Sequence, residues 1–273
     1  MARLKWTPII LFVVAYTMYT FGPLLWLFQT SFRSTGEILK QPFALSGTYQ
    51  LKNFLQVAGT GRYGTYYINS LLIVGGALLL LGLIASMAGY GFARFQFRGK
   101  EVSFNLMFGA VMVPLQVLII PLMQLLYKYH LVNTRVGLVL VYTTISLPMA
   151  IYILRAFFTQ IPHELAESAR VDGASEGLVF WRIMLPVARP AVVTVLILNF
   201  VMLWNEFLLA LLILQKDAVR TLPLGLMMFQ GEYQQDIGGM SAALVLSVIP
   251  TILAYLIFSE QVIKGMTAGA LKG

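Results

Sequence analysis

The chain predicts an all-α, polytopic membrane protein with six transmembrane helices. The first observation behind this is composition: of 273 residues, 59% are apolar and only 11% charged, with a mean hydropathy of +0.80. Soluble domains carry about twice that share of charge. The second is the presence of six nearly uncharged stretches, at 6–32, 63–93, 102–127, 136–154, 190–215 and 237–259. Each approaches or exceeds the roughly 20 residues a helix needs to cross about 30 Å of hydrocarbon. The third is that these runs are long and continuous, whereas barrel strands alternate over about ten residues, so backbone polar groups are satisfied within helices.

Taken in order, the first span follows Arg3 and Lys5 and is too long for a signal-peptide core. With no small-x-small cleavage site behind it, it reads as a retained anchor with a cytoplasmic amino terminus. Six crossings then return the carboxyl terminus to the cytoplasm. On that topology eleven Lys and Arg lie inside and eight outside, a weak bias in the expected direction. Residues 29–66, rich in Gly, Thr, Gln and Tyr, fall outside. Pro114, Pro121, Pro148 and Pro250 sit within spans, as hinges or as fixed packing kinks. The net charge of +8 and pI near 9.7 suit a chain lying against anionic lipid. No basic helix with interleaved aromatics marks a nucleic-acid surface.

Between the fourth and fifth spans lies a long polar segment, PHELAESARVDGASEGLVFWRIMLP at 162–186. Pro162 suits a first helical turn, and Glu164 and Glu167 put negative charge at the positive end of that helix. Glu164, Glu167, Ser168 and Val171 share one face by their spacing. Asp172-Gly173 stops the helix, because Gly accepts the left-handed conformation. Phe180, Ile183, Met184 and Val187 then repeat at helical spacing with Arg182 and Arg189 between them. That pattern predicts a surface helix, redirected at Pro186 and Pro190. The whole is a helix–turn–helix protruding from the membrane, either a docking surface or a solvated loop whose carboxylates complement a helix dipole.

The fifth span contains one ionisable residue, Glu206, in the sequence Trp204-Asn205-Glu206. Such a group costs about 2.5–3.5 kcal/mol at a helix centre and faces protein or a water-filled cavity. Asn199, seven residues earlier, falls on the same helical face. The segment from Gln215 to Gly239, with Lys216, Asp217, Arg220, Glu232 and Asp236, is longer than a simple connector. Gly265, Gly269 and Gly273 with Lys264 and Lys272 make a flexible basic tail.

Several chemistries are excluded. The chain has no cysteine, so disulfides, thiolate metal sites and cysteine nucleophiles are absent. His163-Glu164 begins like a zinc-protease motif, but the second ligand position is Glu167, and the only other histidine is His130. No metal site is expected. No phosphate-binding G-x-x-x-x-G-K-[ST] loop occurs, so nucleotide-driven work would need another subunit.

Glu167-Ser168-Ala169, Gly173, Ile183, Leu185 and Pro186 match the pattern E-A-A, three residues, G, nine residues, I-x-L-P. This resembles the EAA loop of ABC-transporter permeases, with Ser168 in place of the usual Ala. Asn69-Ser70, YGFARFQFRGK at 90–100, MVPLQVLIIP at 112–121, WNEF at 204–207, TLPLGL at 221–226 and GMTAGALKG at 265–273 extend the resemblance over nearly the whole chain. It narrows to carbohydrate-uptake permeases similar to the MalG subunit of the maltose transporter, since the large extracytoplasmic insertion of MalF-type subunits is absent.

The resemblance implies a type I ABC importer permease fold as one domain over 1–273, with a core at 63–260, a coupling loop at 160–190, an extracytoplasmic loop at 215–238 and a cytoplasmic tail at 264–273. It implies a location in the cytoplasmic membrane of a bacterium or archaeon. The partners implied are a second, MalF-like permease, two cytoplasmic ATPase subunits and an extracytoplasmic sugar-binding protein. No cofactor is expected on this chain, and ATP and Mg would be held by the ATPases. Glu164, Glu167, Ser168, Ala169, Asp172 and Gly173 would form the ATPase coupling site, with Lys264, Gly269 and Lys272 as an ATPase-contacting tail. The 215–238 loop would reach into the binding protein. Asn199, Trp204, Asn205 and Glu206 would line the sugar pathway, or else serve as polar contacts between helices. An ABC permease for a polyamine or phosphonate is the nearer alternative and an ion-coupled carrier the more distant one. The latter usually has several intramembrane carboxylates and inverted repeats.

Overall fold

The structure, a computed structural model, describes residues 2–44, 47, 49–59, 62–229 and 236–270. Side chains at 2–8, 228–229 and 259–270 lie outside the description. Every regular element among the described residues is helical: α1 (Ala2–Thr30), α2 (Thr35–Lys40), α3 (Lys52–Gly59), α4 (Arg62–Arg94), α5 (Lys100–Gly109), α6 (Leu115–Lys128), α7 (Arg135–Gln160), α8 (Glu164–Val171), α9 (Glu176–Val179), α10 (Leu185–Trp204), α11 (Leu208–Ile213), α12 (Leu222–Gly225) and α13 (Ile237–Ala270). Short 3-10 turns follow α5, α11 and α12, and a π turn joins α9 to α10.

Among the described residues five helices are long and apolar enough to cross a membrane: Ile9–Thr30, Arg62–Arg94, Arg135–Gln160, Glu176–Trp204 and Ile237–Phe258. Lys100–Met112 and Leu115–Lys128 form a pair bent by 104°, a broken span or a re-entrant loop, and bring the number of crossings to six only when counted as one span. Pro114 stands at the break. It lacks an N–H, and its ring disfavours helical backbone at Val113, which is extended at φ −80° and ψ 119°. Pro121, Pro148 and Pro250 instead lie inside α6, α7 and α13, which run through them.

The fifth crossing departs from expectation. It occupies Glu176–Trp204 where 190–215 was predicted, so the surface helix over Phe180–Val187 is the first part of the crossing helix, and Pro186 and Pro190 do not redirect the chain. The π turn at Phe180–Met184 explains this. Leu185 N–H bonds to Phe180 O, one residue farther back than in an α-helix. The widened turn makes room for the Pro186 ring, which then sits in the first turn of α10, where no donor is needed.

The chain divides into two compact units, one of Met1–Thr65 with Leu222–Pro250, the other of Tyr66–Thr221 with Thr251–Gly273. In the first, α1 buries none of its most apolar window. The polar stretch after it is ordered around Arg33, only 2% exposed, whose guanidinium donates to Ala44 O (3.2 Å), Glu37 O (3.2 Å) and Gln41 O (3.0 Å). Ser34 starts α2 with a reciprocal capping box to Glu37. Asn53 donates to Ser31 O and Arg33 O, both at 2.9 Å. Asp236 accepts from Thr35 Oγ1 (3.0 Å) and from Gly239 N–H (2.9 Å), which caps α13.

The second unit is built on α4, α7 and α10. Leu81, Ala85, Ile151, Leu154, Phe158, Met184, Ala188 and Val195 form one buried cluster. Small residues allow close approach: a Cβ at Gly89 of α4 would lie 2.9 Å from Leu154 Cβ and 3.1 Å from Arg155 N. Tyr90 packs edge-on to Phe95 and Phe158 and tilts onto Phe180.

Candidate functional site

The acidic helix lies where α7 ends. Ala166 of α8 is 1% exposed and belongs to the buried cluster with Phe158, Ile161 and Val179, while Ala169 packs against that cluster. The opposite face presents Glu164, Leu165, Glu167, Ser168, Val171 and Asp172 to the outside, and Val171 is 87% exposed. The predicted shared face is therefore a free one. Among the described residues the Glu167 carboxylate has neither a hydrogen-bond nor an ion-pair partner. Gly173, at φ +86°, ends the helix in the left-handed region, and Ala174 N–H returns to Ala169 O at 2.9 Å.

Side chains that sequence reasoning passed over fix this helix to the spans. Arg94, the last residue of α4, donates to Ile161 O and meets His163 Nδ1 at 2.9 Å, holding the start of α8. Arg170 donates from Nε to Glu176 Oε1 at 2.6 Å, and Tyr90 OH reaches Glu176 Oε2 at 3.4 Å. The Glu176 hydrogen bond holds the Arg170 guanidinium above its ordinary range. An exposed pair of this kind is worth about 0.2–1 kcal/mol, so it sets the angle of α8 more than it stabilises the fold. The one sequence signal was Ser175, a cap residue three before Leu178, which marks a helix start just after the Gly173 turn.

At the opposite end of the unit, Asn69 is fully buried and donates to Ala218 O (3.0 Å) and Arg220 O (2.8 Å) while accepting from Arg135 Nε (2.8 Å). Tyr66 OH donates to Asp217 Oδ1 at 2.7 Å, and Arg220 pairs with the same oxygen at 3.1 Å. Asn133, at φ +60°, accepts from Gln215 and Lys216 N–H. The start of the 215–238 loop is thus strapped to the beginnings of α4 and α7. Residues 230–235 of that loop lie outside the described residues.

The four pathway candidates are not brought together. The helix ends at Trp204, so Glu206 stands in a break before α11, and the face-sharing of Asn199 with Glu206 that a continuous helix would give does not arise. Glu206 accepts from Tyr142 OH (2.7 Å), Leu209 N–H (2.8 Å) and Ala210 N–H (3.1 Å). It thus joins α7 to the short helix and satisfies donors that the break would orphan. Trp204 is 2% exposed, stacked on Phe200 at 5.5 Å and edge-on to Tyr67 at 5.7 Å. Asn205 is exposed and bonds back to Val201 O. Asn199 alone faces a cavity of about 620 Å³, which Pro114, Leu118, Ser146, Met149, Val195 and Met202 help to line.

Of the tail candidates, α13 continues through Lys264 and Gly269 to Ala270, so these belong to a helix rather than a flexible tail, and Lys272 lies outside the described residues. The described residues contain no group of three or more His, Cys, Asp or Glu placed to hold a metal.

Residues 78–267 match the family described as "Binding-protein-dependent transport system inner membrane component". The diacetylchitobiose uptake system permease protein NgcG of Streptomyces coelicolor is 34% identical over 95% of this chain and 87% of its own length. The trehalose transport system permease protein SugB of Mycobacterium tuberculosis is 33% identical over 98% and 97%. Among solved structures, a chain of a bacterial ABC transporter involved in the import of the acidic polysaccharide alginate superposes with a TM-score of 0.83, covering 94% of this chain and 96% of that one, at 18% identity.

Proposed function

The chain belongs to the family of binding-protein-dependent transport system inner membrane components, and from that premise we propose that it is the MalG-like permease half of an ATP-driven importer of a sugar or oligosaccharide. The observation that carries the mechanism is the mounting of α8: one face is buried in the core shared by α4, α7 and α10, and the other offers unpaired carboxylates. Such a helix transmits a push. A cytoplasmic ATPase that engages Glu164, Glu167, Ser168 and Asp172 moves α8, and Arg94, Ile161 and the Arg170–Glu176–Tyr90 contacts pass that displacement to the spans. Rigid-body rocking of packed helices then alternates access to the pathway.

The chain performs no covalent chemistry, and nucleotide and Mg²⁺ are held by the separate ATPase subunits. A second, MalF-like permease completes the pathway, and the segment strapped by Asn69 and Asp217 faces an extracytoplasmic binding protein. Both termini lie in the cytoplasm. The sugar assignment is supported by relatives that match over nearly full length and are named as permeases for diacetylchitobiose, trehalose and arabinooligosaccharides. Replacing Glu167 with Lys in the assembled transporter tests the coupling. Uptake is expected to fall at least about tenfold, with membrane insertion intact and ATPase activity no longer tied to transport. Wild-type uptake in that variant overturns the role given to α8.

A further inference from the structure

The membrane-crossing part of α1 ends at Thr30, and the chain then folds back along it. Trp26, one turn before that end, donates from Nε1 to Pro42 O at 2.8 Å, and Gln29 Nε2 donates to Ala44 O. At 1.5 Å per residue Trp26 lies about 6 Å inside the end of the span, so residues 42–44 are clipped at the level of its last two turns. Phe43 stands between the two clips. It is 83% exposed, with its ring 6.4 Å from that of Trp26. Tyr49 also returns to the span: it is 57% exposed and lines an open groove with Phe28, Gln29 and Phe32. A second observation concerns the backbone at this level, which is satisfied from within. Gln41 N–H bonds to Glu37 O (3.0 Å) and Ala44 N–H to Gln41 O (3.3 Å), while the Arg33 guanidinium donates to Gln41 O (3.0 Å) and Ala44 O (3.2 Å). Pro42 has no N–H, and its carbonyl is taken by Trp26. Non-helical backbone beside hydrocarbon needs such pairing, because no water is there to supply it. The arrangement reverses that of a solvated loop, with the arginine buried and the phenylalanine outside.

We propose that this loop is a lipid-interaction surface: Phe43 and Tyr49 lie in the interfacial layer of the leaflet at the carboxyl end of α1, take membrane lipid as their partner, and fix the depth of that helix. Three features select lipid over a protein partner. The surface continues that of α1, whose most apolar window has no buried residue, so the loop extends a face that already meets the bilayer on every side of the helix. Trp26 and Tyr49, at one level, are of the two residue types that concentrate at headgroup depth. Lys40 is exposed at the end of α2, three residues before Phe43, where its long side chain reaches toward lipid phosphate. The proposal needs only that α1 crosses the membrane, and it holds whatever solute is transported.

The test places a nitroxide at Phe43→Cys in the complete transporter, reconstituted in vesicles of phosphatidylcholine and phosphatidylglycerol. This chain has no cysteine of its own, and wild-type transporter treated with the same reagent gives the background from its partners. The label's collision rate is read with oxygen, which concentrates in lipid, and with a water-soluble nickel chelate. Met18→Cys, exposed in the middle of the α1 span, serves as the hydrocarbon reference. The oxygen-to-nickel ratio at position 43 is expected to exceed that of the same nitroxide free in buffer at least about threefold and to stay below that at position 18, as befits an interfacial depth. Tyr49→Cys takes its place, with the same expectation, where Phe43→Cys fails to assemble. A ratio no higher than in buffer puts the loop in water and overturns the proposal. A label shielded from both reagents means that protein covers the loop, which overturns it equally.

Discussion

Glu206 offers the sharpest numerical test, because its carboxylate is accounted for oxygen by oxygen. Oε1 accepts from Leu209 N–H, and Oε2 accepts from both Tyr142 OH and Ala210 N–H. In Glu206→Gln one oxygen becomes an NH₂ group that faces protein donors. Whichever way the amide turns, at least one donor loses its acceptor. Leaving a buried donor unsatisfied costs about 1–3 kcal/mol, more where the lost partner was charged. Choosing the orientation that sacrifices only Leu209 N–H, and adding the loss of charge assistance at the other two bonds, gives about 3 kcal/mol. For a chain of this size that lowers Tm by roughly 6–12 °C. Tyr142→Phe removes one donor and leaves two bonds, so its cost is smaller, about 1–2 kcal/mol. The assay is thermal unfolding of the purified transporter, with the double variant included to close a thermodynamic cycle. Coupling of about 1 kcal/mol or more between the two sites is expected, with the KM for sugar within about twofold. A Tm unchanged in Glu206→Gln, together with a large rise in KM, would refute the assignment of this carboxylate to holding the helix break.

Other substitutions probe the same account. Gly173→Val forces a β-branched residue to φ +86°, which costs about 1–2 kcal/mol or displaces α8, so uptake should fall while the protein still inserts; unchanged uptake argues against a fixed helix angle. Gly89→Val places a side chain 3.1 Å from the Arg155 backbone nitrogen, and overpacking of about 1–3 kcal/mol should appear as a lowered Tm. Glu176→Gln removes the Arg170 charge pair but little stability, about 0.2–1 kcal/mol, and should loosen the tie between ATPase activity and transport without lowering Tm by more than a few degrees.

Much of this architecture was legible because membrane crossings are written locally. Arg62 and Arg94 bracket an uninterrupted apolar run, and α4 has those bounds. Asp172-Gly173 signals its own left-handed stop, and the exposed face of α8 follows from spacing alone. The misreadings arose where distant partners decide. Nothing in Trp204-Asn205-Glu206-Phe207 resembles a helix breaker; the break exists with Tyr142, 64 residues away, bonded to the carboxylate it exposes. Pro186 and Pro190 looked like an end to a surface helix, but a π turn absorbed the first and α10 runs through the second. Pro114 was visible, yet whether it kinks or folds back a span depends on what fills the bend. Trp204 was a pathway candidate by its place beside Asn205 and Glu206, and its ring packs against Tyr67 and Phe200.

The central claim is that transport by this chain is driven through α8 by a separate ATPase. The most direct measurement is affinity purification of the full chain from its native membrane, followed by reconstitution of everything that co-purifies and an assay of sugar uptake with and without ATP. The account predicts recovery of a second multi-span permease and an ATPase, and uptake that requires ATP and is lost in Glu167→Lys. Recovery of the chain alone, with uptake that proceeds on an ion gradient without ATP, would contradict it.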